Sequence, residues 1–222
     1  MGVKGGPNIP YWDSFDTILD PSSNIFYPGT GFTFTNPFKF KGFSDWTMTD
    51  NTNLIAGSGI SKYVKQTSKQ QFSQRIEQVG GESSDKYTLF FSYKVAQTGT
   101  DSTIVQIQSN VLTFGHSAAG QITMRHHNTD FTTSGLGMTD DVWRFYAFTR
   151  SGTAATMYVN GSVFTTFTGL NASSTSAGDT KVFDYIGCDG AIGFIWLNIG
   201  QALSSQQVKT HYDAFKGRFR LS

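Results

Sequence analysis

The stretch Val142–Phe164, VWRFYAFTRSGTAATMYVNGSVF, decides the fold. Two runs rich in aromatic and β-branched residues flank a turn at Gly152, and the pair Asn160–Gly161 ends the second run. Asn-Gly is a strong hairpin signal because both residues accept positive φ. In the first run aromatic residues fall on both faces, whereas a strand with one face in water alternates more cleanly. We therefore predict a central hairpin with one face in the core and the other covered by chain, by a neighbouring molecule or by a ligand.

Further strand patterns lie on both sides of this hairpin. The strongest is KYTLFFSYKVAQ (86–97), and others are TIVQIQSN (103–110), VFDYIGC (182–188) and IGFIWLNIG (192–200). FKFKGF (38–43) predicts an edge strand, because exposed lysines protect sheet edges. Short strands separated by turn signals are typical of an all-β sandwich of antiparallel strands.

One short helix is predicted at the C-terminal end, over about residues 204–216. Ser204 and Gln207 have the spacing of a capping box, and Gly217 is expected to end the helix. The helix has one apolar stripe, made by Val208, Tyr212 and Phe215. We expect this stripe to pack on the edge of the sandwich.

The chain is predicted to have an extended N-terminal arm, residues 1–20, and one β domain, residues 21–222. Glycines and prolines near the start do not support a helix or a central strand. We expect the arm to be held against a neighbouring subunit. The candidate assembly residues are Pro7, Ile9, Tyr11 and Trp12.

The amino-acid composition limits the classes of partner that we expect for this protein. The net charge is +1 and 15% of the 222 residues are charged, below the usual ~25%, so no global field favours nucleic acid. No apolar run approaches the roughly 18 residues of a membrane span, and the first residues have no apolar core of a signal peptide. We expect neither a membrane nor a nucleic-acid partner. With Cys188 as the one cysteine, no intrachain disulfide can form.

The pattern W-x₅-TR-x-G-x₅-YVNG, from Trp143 to Gly161, resembles the central hairpin of laminin-G-like domains in the concanavalin A-like lectin/glucanase superfamily. The strand IGFIWLNIG and the helix after it resemble the closing elements of the same domains. The resemblance implies a jelly-roll β-sandwich. TNPFKFKGFSDWTMTDN (35–51) departs from the family pattern and leaves the early strands open.

The segment LDPSSNIFYPGTG (19–31) and the closing run Lys216–Phe219 resemble copies of this domain in structural proteins of tailed phages, including marine phages and cyanophages. This resemblance implies a non-enzymatic virion protein that adheres to capsid, neck or tail subunits. A capsid-surface (decoration) role is slightly favoured over a neck or tail-fibre role. A homo-oligomer is expected, with a trimer as one form. The alternative function is a lectin-like receptor-binding module that recognises host-surface glycans.

A glycan-cleaving enzyme is the remote alternative. Such enzymes use two carboxylates about 5–10 Å apart, and the glucanase branch of the resembled family carries them in a Glu-x-Asp-x-x-Glu strand. This chain has two glutamates, Glu77 and Glu82, and no such motif. We therefore predict no catalytic residue, no cofactor and no enzymatic activity.

No metal site is predicted from the histidines, because His126 and His127 are adjacent and point to opposite faces of a strand. The family resemblance leaves calcium open, since such domains often bind it through Asp and backbone carbonyls. The candidate ligands are Asp179, Asp184 and Asp189, although Asp is also ordinary in turns.

Sugar sites combine exposed aromatic rings with side chains that bond hydroxyl groups. One candidate glycan or partner contact lies at a strand end and contains Arg125, His126, His127 and Asn128. A second combines Trp46 with Asp45. The simpler interpretation is that these are polar surface residues without a ligand.

Overall fold

The computed structural model describes residues 17–21, 33–34, 45–48, 55–56, 62–65, 72–76, 86–97, 102–107, 112–126, 129–133, 141–170, 178–185 and 189–218. This part of the chain contains sixteen strands and one α-helix: β1 (Thr17–Leu19), β2 (Thr33–Phe34), β3 (Trp46–Met48), β4 (Ile55–Ala56), β5 (Tyr63–Lys65), β6 (Phe72–Ile76), β7 (Lys86–Gln97), β8 (Ser102–Ile107), β9 (Leu112–His116), β10 (Ile122–His126), β11 (Thr129–Thr132), β12 (Arg144–Ser151), β13 (Ala154–Val159), β14 (Ser162–Phe167), β15 (Gly178–Tyr185), β16 (Asp189–Ile199) and α1 (Ser205–Phe215).

The strands form two antiparallel sheets. Sheet A has the order β14-β13-β12-β7-β16-β5-β4, and β1 also pairs with β16. Sheet B has the order β11-β10-β9-β8-β15-β6-β3-β2. The predicted all-β jelly-roll sandwich with one C-terminal helix is confirmed. The edge strand predicted over 38–43 lies outside the described residues.

The main core lies between the two sheets. Phe91 of β7 meets Phe114 of β9 with ring centroids 5.6 Å apart, and Phe114 meets Phe148 of β12 at 5.1 Å. All three side chains are buried, and each contributes roughly 2–3 kcal/mol through loss of apolar surface from water. This contact places the hairpin of residues 142–164 at the centre of the sandwich.

The turns of this hairpin region follow from the sequence. Asn160 and Gly161 have φ of 48° and 75°, as a two-residue type I′ turn between β13 and β14 requires. Gly152, in the turn between β12 and β13, has φ of 63°. Asn160 also accepts a hydrogen bond from the backbone N–H of Phe145 through its side-chain oxygen, at 3.0 Å. The Asn-Gly pair therefore fixes both the turn and the start of β12.

Helix α1 packs on the outer face of sheet A, so the predicted position at the sandwich edge is wrong. Trp196 of β16 lies against Phe215 of the helix with ring centroids 4.3 Å apart, and Phe145 of β12 lies against Tyr212 at 5.7 Å. The reason is that the central strands also carry aromatic side chains on their outer face, and these side chains are stabilised when they are removed from water. The chain's own helix covers that face from Phe145 onward.

The helix begins as the sequence predicts and ends differently. Ser204 Oγ accepts from the N–H of Gln207 at 3.3 Å, and Gln207 Oε1 accepts from the N–H of Ser204 at 2.9 Å, which is the predicted capping box. At the other end Gly217 does not stop the chain with positive φ. The helix continues as a 3₁₀ turn over Lys216–Arg218, which carries Arg218 into the interior.

Arg218 forms a buried, two-point ion pair with Asp20, which follows β1. This pair joins the two terminal segments whose sequences carry the more specific resemblance, around residues 19–31 and 216–219. Residues 17–19 of the predicted arm form β1, which pairs with β16. The candidate assembly residues between 7 and 12 lie outside the described residues, and the arm boundary stays a prediction.

Within the described residues, no helix has the length and apolar character that a membrane crossing needs.

Candidate functional site

The structure separates the residues of the predicted strand-end site. Arg125, on β10, is exposed and donates to Asp130 of β11 at 2.6 Å and 2.9 Å. The hydrogen bond from Arg125 lowers the pKa of the Asp130 carboxyl, and the same bond raises the pKa of Arg125. His127 and Asn128 lie outside the described residues. Arg125 and Asp130 thus form an ion pair with two hydrogen bonds on the protein surface.

His126 faces the opposite way and is fully buried. Its Nε2 accepts a hydrogen bond from Nη1 of Arg150 at 2.8 Å, and Nε of Arg150 donates to the carbonyl of Gly152 at 2.8 Å. The guanidinium also lies over the ring of Tyr87, 5.8 Å from its centroid, and burial raises the pKa of Tyr87. His126 is therefore a contact between the sheets, so the expected grouping of Arg125 with His126 on one surface is not what the structure shows.

Trp46, in the second predicted site, lies on β3 of sheet B. Four strands, β9, β8, β15 and β6, separate β3 from β10 in the sheet order. The two predicted sites are therefore distinct places on one sheet. The structure gives strand position, and no side-chain environment, for Trp46.

The outer face of sheet B carries polar cross-strand rows. One such row runs through Gln106, Thr113, Arg125 and Asp130 on strands β8 to β11. The neighbouring inward row is apolar, with Val105, Phe114 and Met124 buried in the core. This alternation is that of a sheet with one face in the core and one in water. The face offers hydrogen-bonding groups and, in this row, no aromatic ring.

A different surface combines aromatic rings with charges. Trp143 directly precedes β12 and is partly buried, and its ring meets Tyr63 of β5 edge-on, with centroids 5.4 Å apart. The ammonium of Lys94 lies 5.7 Å from the centroid of the Trp143 ring and 2.7 Å from Oδ1 of Asp141. We call Trp143, Tyr63, Lys94 and Asp141 the Trp143 patch.

The Trp143 patch is on the same face of sheet A as α1, at the margin of the helix-covered cluster. Lys94 of β7 and Lys65 of β5 are both cross-strand partners of Ala191 on β16. Ala191 itself is buried beneath its neighbours, with 3% of its surface exposed. Asp141, with 54% of its side chain exposed, stands at the rim of this surface.

The backbone holds Asp141 in place. Its φ is 54°, a region that Asp visits more readily than most residues, and its N–H donates to the carbonyl of Val95 at 2.9 Å. The ring of Trp143 and the carboxylate of Asp141 are thereby fixed relative to β7. Fixed aromatic and polar groups lower the entropy lost when a ligand binds.

Sequence reasoning placed Trp143 in a central hairpin and did not assign it to a site. A tryptophan two residues after Asp141, at the start of a strand, is a signal that could have found the patch. Tyr63 and Lys94 could not be found in this way, because only the strand order β12-β7-β16-β5 brings them to Trp143.

The described residues contain no group of three or more His, Cys, Asp or Glu side chains that could hold a metal ion. The three calcium candidates, Asp179, Asp184 and Asp189, lie on β15 and at the start of β16. Their side chains are not described, so the structure does not test the calcium site that the family resemblance leaves open.

A laminin-G family model, described as the concanavalin A-like lectin/glucanases superfamily, matches residues 61–194. The chain belongs to this superfamily. The match includes both strands of the central hairpin and every member of the Trp143 patch. No curated protein sequence matches this chain.

Solved structures with the same fold include binding domains of botulinum neurotoxins. The binding domain of neurotoxin DC in complex with rat synaptotagmin II is 11% identical with a TM-score of 0.69, covering 91% of this chain and 52% of that one. A neurotoxin type C structure, described by cell entry that depends on two ganglioside molecules, is 10% identical with a TM-score of 0.68, covering 91% and 51%. The chain spans about half the length of these proteins, and at such identities the likeness shows the fold alone.

Proposed function

We propose that this superfamily member is a non-catalytic carbohydrate-binding module that recognises a glycan at the Trp143 patch. The observation that carries the proposal is the arrangement of Trp143, Tyr63 and the Lys94–Asp141 pair together on one margin of sheet A. Among the surfaces described above, the Trp143 patch is the one that combines aromatic rings with charged hydrogen-bonding groups.

The chemistry of a sugar suits this arrangement. The apolar C–H face of a pyranose ring can pack on an indole, and its hydroxyl groups need donors and acceptors at the rim of that contact. Trp and Tyr supply large rigid surfaces with a polar end, Lys94 donates and Asp141 accepts. Binding sites of this type are largely preformed, with few polar groups that fix the orientation of the ligand.

The comparisons support recognition over assembly or catalysis. The family is a superfamily of lectins and glucanases. Among the solved structures of the same fold, one neurotoxin is described with ganglioside molecules and another binding domain is in complex with SialylT. A protein ligand is also represented, by synaptotagmin II. These ligands belong to those proteins, and they favour a surface-receptor or glycan partner as our proposal for this chain.

The virion role implied by the sequence resemblance stays a prediction. The family match concerns lectins and glucanases, the structural neighbours named above are binding domains, and neither bears on phage particles. We keep a virion as our proposed location for the module, where glycan recognition would serve attachment to a host surface. Detection of the chain in purified particles by mass spectrometry tests that location separately.

Binding of the wild-type chain to an array of neutral and acidic glycans tests the function. For a glycan that binds, Trp143→Ala and Asp141→Asn are expected to weaken the affinity at least about tenfold, which corresponds to about 1.4 kcal/mol. The matched control is the exposed pair on sheet B, as Arg125→Ala and Asp130→Asn, which should leave the affinity unchanged.

Two results would overturn this proposal. One is the absence of glycan binding by a folded chain at millimolar ligand concentration. The other is the reverse pattern of variants, in which the Arg125 and Asp130 substitutions abolish binding and Trp143→Ala does not. Asp141 is exposed, so Asp141→Asn keeps the comparison valid if Trp143→Ala reduces stability.

A further inference from the structure

Asn160 and Gly161 form the one Asn-Gly pair in the sequence. In such a pair the main-chain nitrogen of the glycine can attack the side-chain amide carbon of the asparagine, because glycine has no side chain that hinders the approach. The attack releases ammonia and forms a cyclic imide. Water then opens the imide at either carbonyl and gives aspartate or isoaspartate, in which the main chain runs through the former side chain.

Hydrogen bonds to Phe145 hold the side chain of Asn160 in the closed turn. Its Oδ1 atom accepts from the N–H of Phe145 at 3.0 Å, and the N–H of Asn160 donates to the carbonyl of Phe145 at 2.8 Å. Together these bonds fix Asn160 beside the start of β12. The amide carbon cannot turn toward the nitrogen of Gly161 unless the first bond is broken.

The backbone conformation of Asn160 is a second obstacle to the attack. Its φ is 48°, in the left-handed region, where ψ is about +47°. Ring closure requires Cβ of Asn160 and the nitrogen of Gly161 to lie on the same side of the Cα–C bond. A left-handed ψ places these two atoms on opposite sides, so Asn160 must leave the turn conformation before the pair can react.

The β13–β14 turn is a place where such opening costs little. The strand after the turn, β14, forms one edge of sheet A, and all six of its side chains are exposed or half-buried. Gly161 itself lies outside the strand ladder, because the residues paired across the turn are Val159 and Ser162. Elements with few buried contacts open locally at a free energy below that of global unfolding.

We propose that Asn160 is a site of spontaneous deamidation, which the closed fold protects and which reacts when the β13–β14 turn opens. The nitrogen of Gly161 loses its proton to solvent and bonds to the amide carbon of Asn160. The bond from that carbon to the side-chain nitrogen breaks, and ammonia leaves with a proton from solvent. One water molecule then hydrolyses the imide. Neither step changes an oxidation state, and water is the co-reactant.

The two products have different consequences for the fold. Aspartate keeps a side-chain oxygen that can accept from the N–H of Phe145, and Asp tolerates positive φ. Isoaspartate adds a carbon atom to the main chain before Gly161, which displaces the turn. Because Gly161 lies close against the ring of Tyr212 in α1, the displaced turn no longer closes against the helix. Opening followed by this reaction is therefore irreversible.

Mass spectrometry of the full chain, incubated near neutral pH with and without guanidinium chloride, tests the protection. We expect Asn160 to deamidate at least about tenfold more slowly in the native chain than in the unfolded chain. A synthetic peptide of residues 156–165, incubated in both solutions, controls for the effect of the denaturant on the chemistry. If the turn opens and closes faster than it reacts, the ratio of the native rate to the peptide rate gives the open fraction.

Tyr212→Ala removes the ring that lies against Gly161, and we expect it to increase the rate of deamidation in the native chain. Lys209→Ala, on the exposed side of the same helix, is the matched control and should leave the rate unchanged. If Tyr212→Ala does not fold, the comparison of the wild-type chain with the peptide decides. A native chain that reacts as fast as the peptide overturns the proposal, as does an unfolded chain that leaves Asn160 intact.

The effect of isoaspartate on the fold is measured after refolding. A chain deamidated in denaturant is returned to buffer and digested briefly with trypsin, which can cut at Lys209 and Lys216 when α1 is detached. The intact survivors should be depleted of isoaspartate, while Asn160→Asp, which represents the other product, should survive as well as the wild type. An unchanged share of isoaspartate among the survivors would show that the turn closes in spite of the longer main chain, and would overturn this part of the proposal.

Discussion

Gly161 lies against the ring of Tyr212: a Cβ atom added at Gly161 would be 2.7 Å from Cδ1 and 2.9 Å from Cγ of that ring. Gly161 also has φ of +75°. The β13–β14 turn thus meets α1 at a point where a hydrogen atom fits and a methyl group does not. The Asn-Gly turn and the helix that covers sheet A depend on the same residue.

Gly161→Ala is expected to lower the free energy of unfolding by about 2–4 kcal/mol, because a left-handed conformation and a steric clash act together. Gly152→Ala is the matched control. It also has positive φ, +63°, but no atom lies within 4 Å of an added Cβ, so its loss should be about 1–2 kcal/mol. Urea unfolding measures both. Equal losses of unfolding free energy in the two variants would show that the Tyr212 ring moves aside without an energetic cost.

The ion pair between Asp20 and Arg218 connects residues near the two ends of the described chain, and both side chains are almost fully buried. A buried charge that loses its partner is strongly destabilising, typically by 3–5 kcal/mol. Asp20→Ala is expected to cost about that much, measured by urea unfolding. The exposed Asp213, which pairs with Lys209 and Lys216, is the control, and Asp213→Ala should have little effect.

Replacement of both partners separates pairing from packing. In Asp20→Leu/Arg218→Met neither charge is left buried, so most of the lost stability should return. A double variant as unstable as Asp20→Ala would show that the site needs the charges themselves to join the terminal segments.

The fold was predictable because its signals are local. The Asn160–Gly161 turn, the alternation in residues 86–97 and the Ser204–Gln207 capping box each depend on neighbours in sequence. The position of α1 was not predictable in the same way. The apolar stripe of α1 indicates that the helix packs against another part of the protein but does not identify that part. The outward aromatic face of sheet A, which the helix covers, exists only after β7, β12 and β16 have paired.

The candidate site was predictable only in part. Trp143 was visible in the sequence, while Tyr63 and Lys94 reach it through a strand order that residue spacing does not encode. In the predicted site at residues 125–128, alternation along β10 was recognised for the pair His126–His127. The same rule, applied one residue earlier, separates Arg125 from His126. What it could not supply was the partner of His126, since Arg150 comes from the opposite sheet.

Arg150→Lys is expected to destabilise the protein although it keeps the charge. The buried guanidinium donates to His126 and to the carbonyl of Gly152 at the same time, and a lysine ammonium has neither the planar shape nor the reach to reproduce both bonds. We expect a loss of about 2 kcal/mol, from hydrogen bonds to a charged group that are no longer made. Thermal unfolding measures it. Exposed Arg125→Lys is the control, and equal shifts in Tm for the two variants would contradict this prediction.

His211 of α1 makes stability depend on pH. It is buried against Phe90 and Trp196, with ring centroids 4.8 Å and 6.0 Å apart. Burial disfavours the charged imidazolium and lowers the pKa of His211 from 6.5 to about 4. Between these values the unfolded chain binds a proton that the folded chain does not. This part of the stability is complete above pH 6.5 and is lost as the pH falls toward 4.

The free energy of unfolding should therefore decrease through this window by up to about 1.4 kcal/mol per pH unit from His211 alone. Urea unfolding at pH 7.5, 6.0 and 4.5 measures the slope. His211→Leu removes the titrating group, so the difference between wild type and variant isolates its contribution from those of the other histidines. Parallel pH profiles for the two proteins would show that His211 is protonated as easily in the folded chain as in the unfolded one.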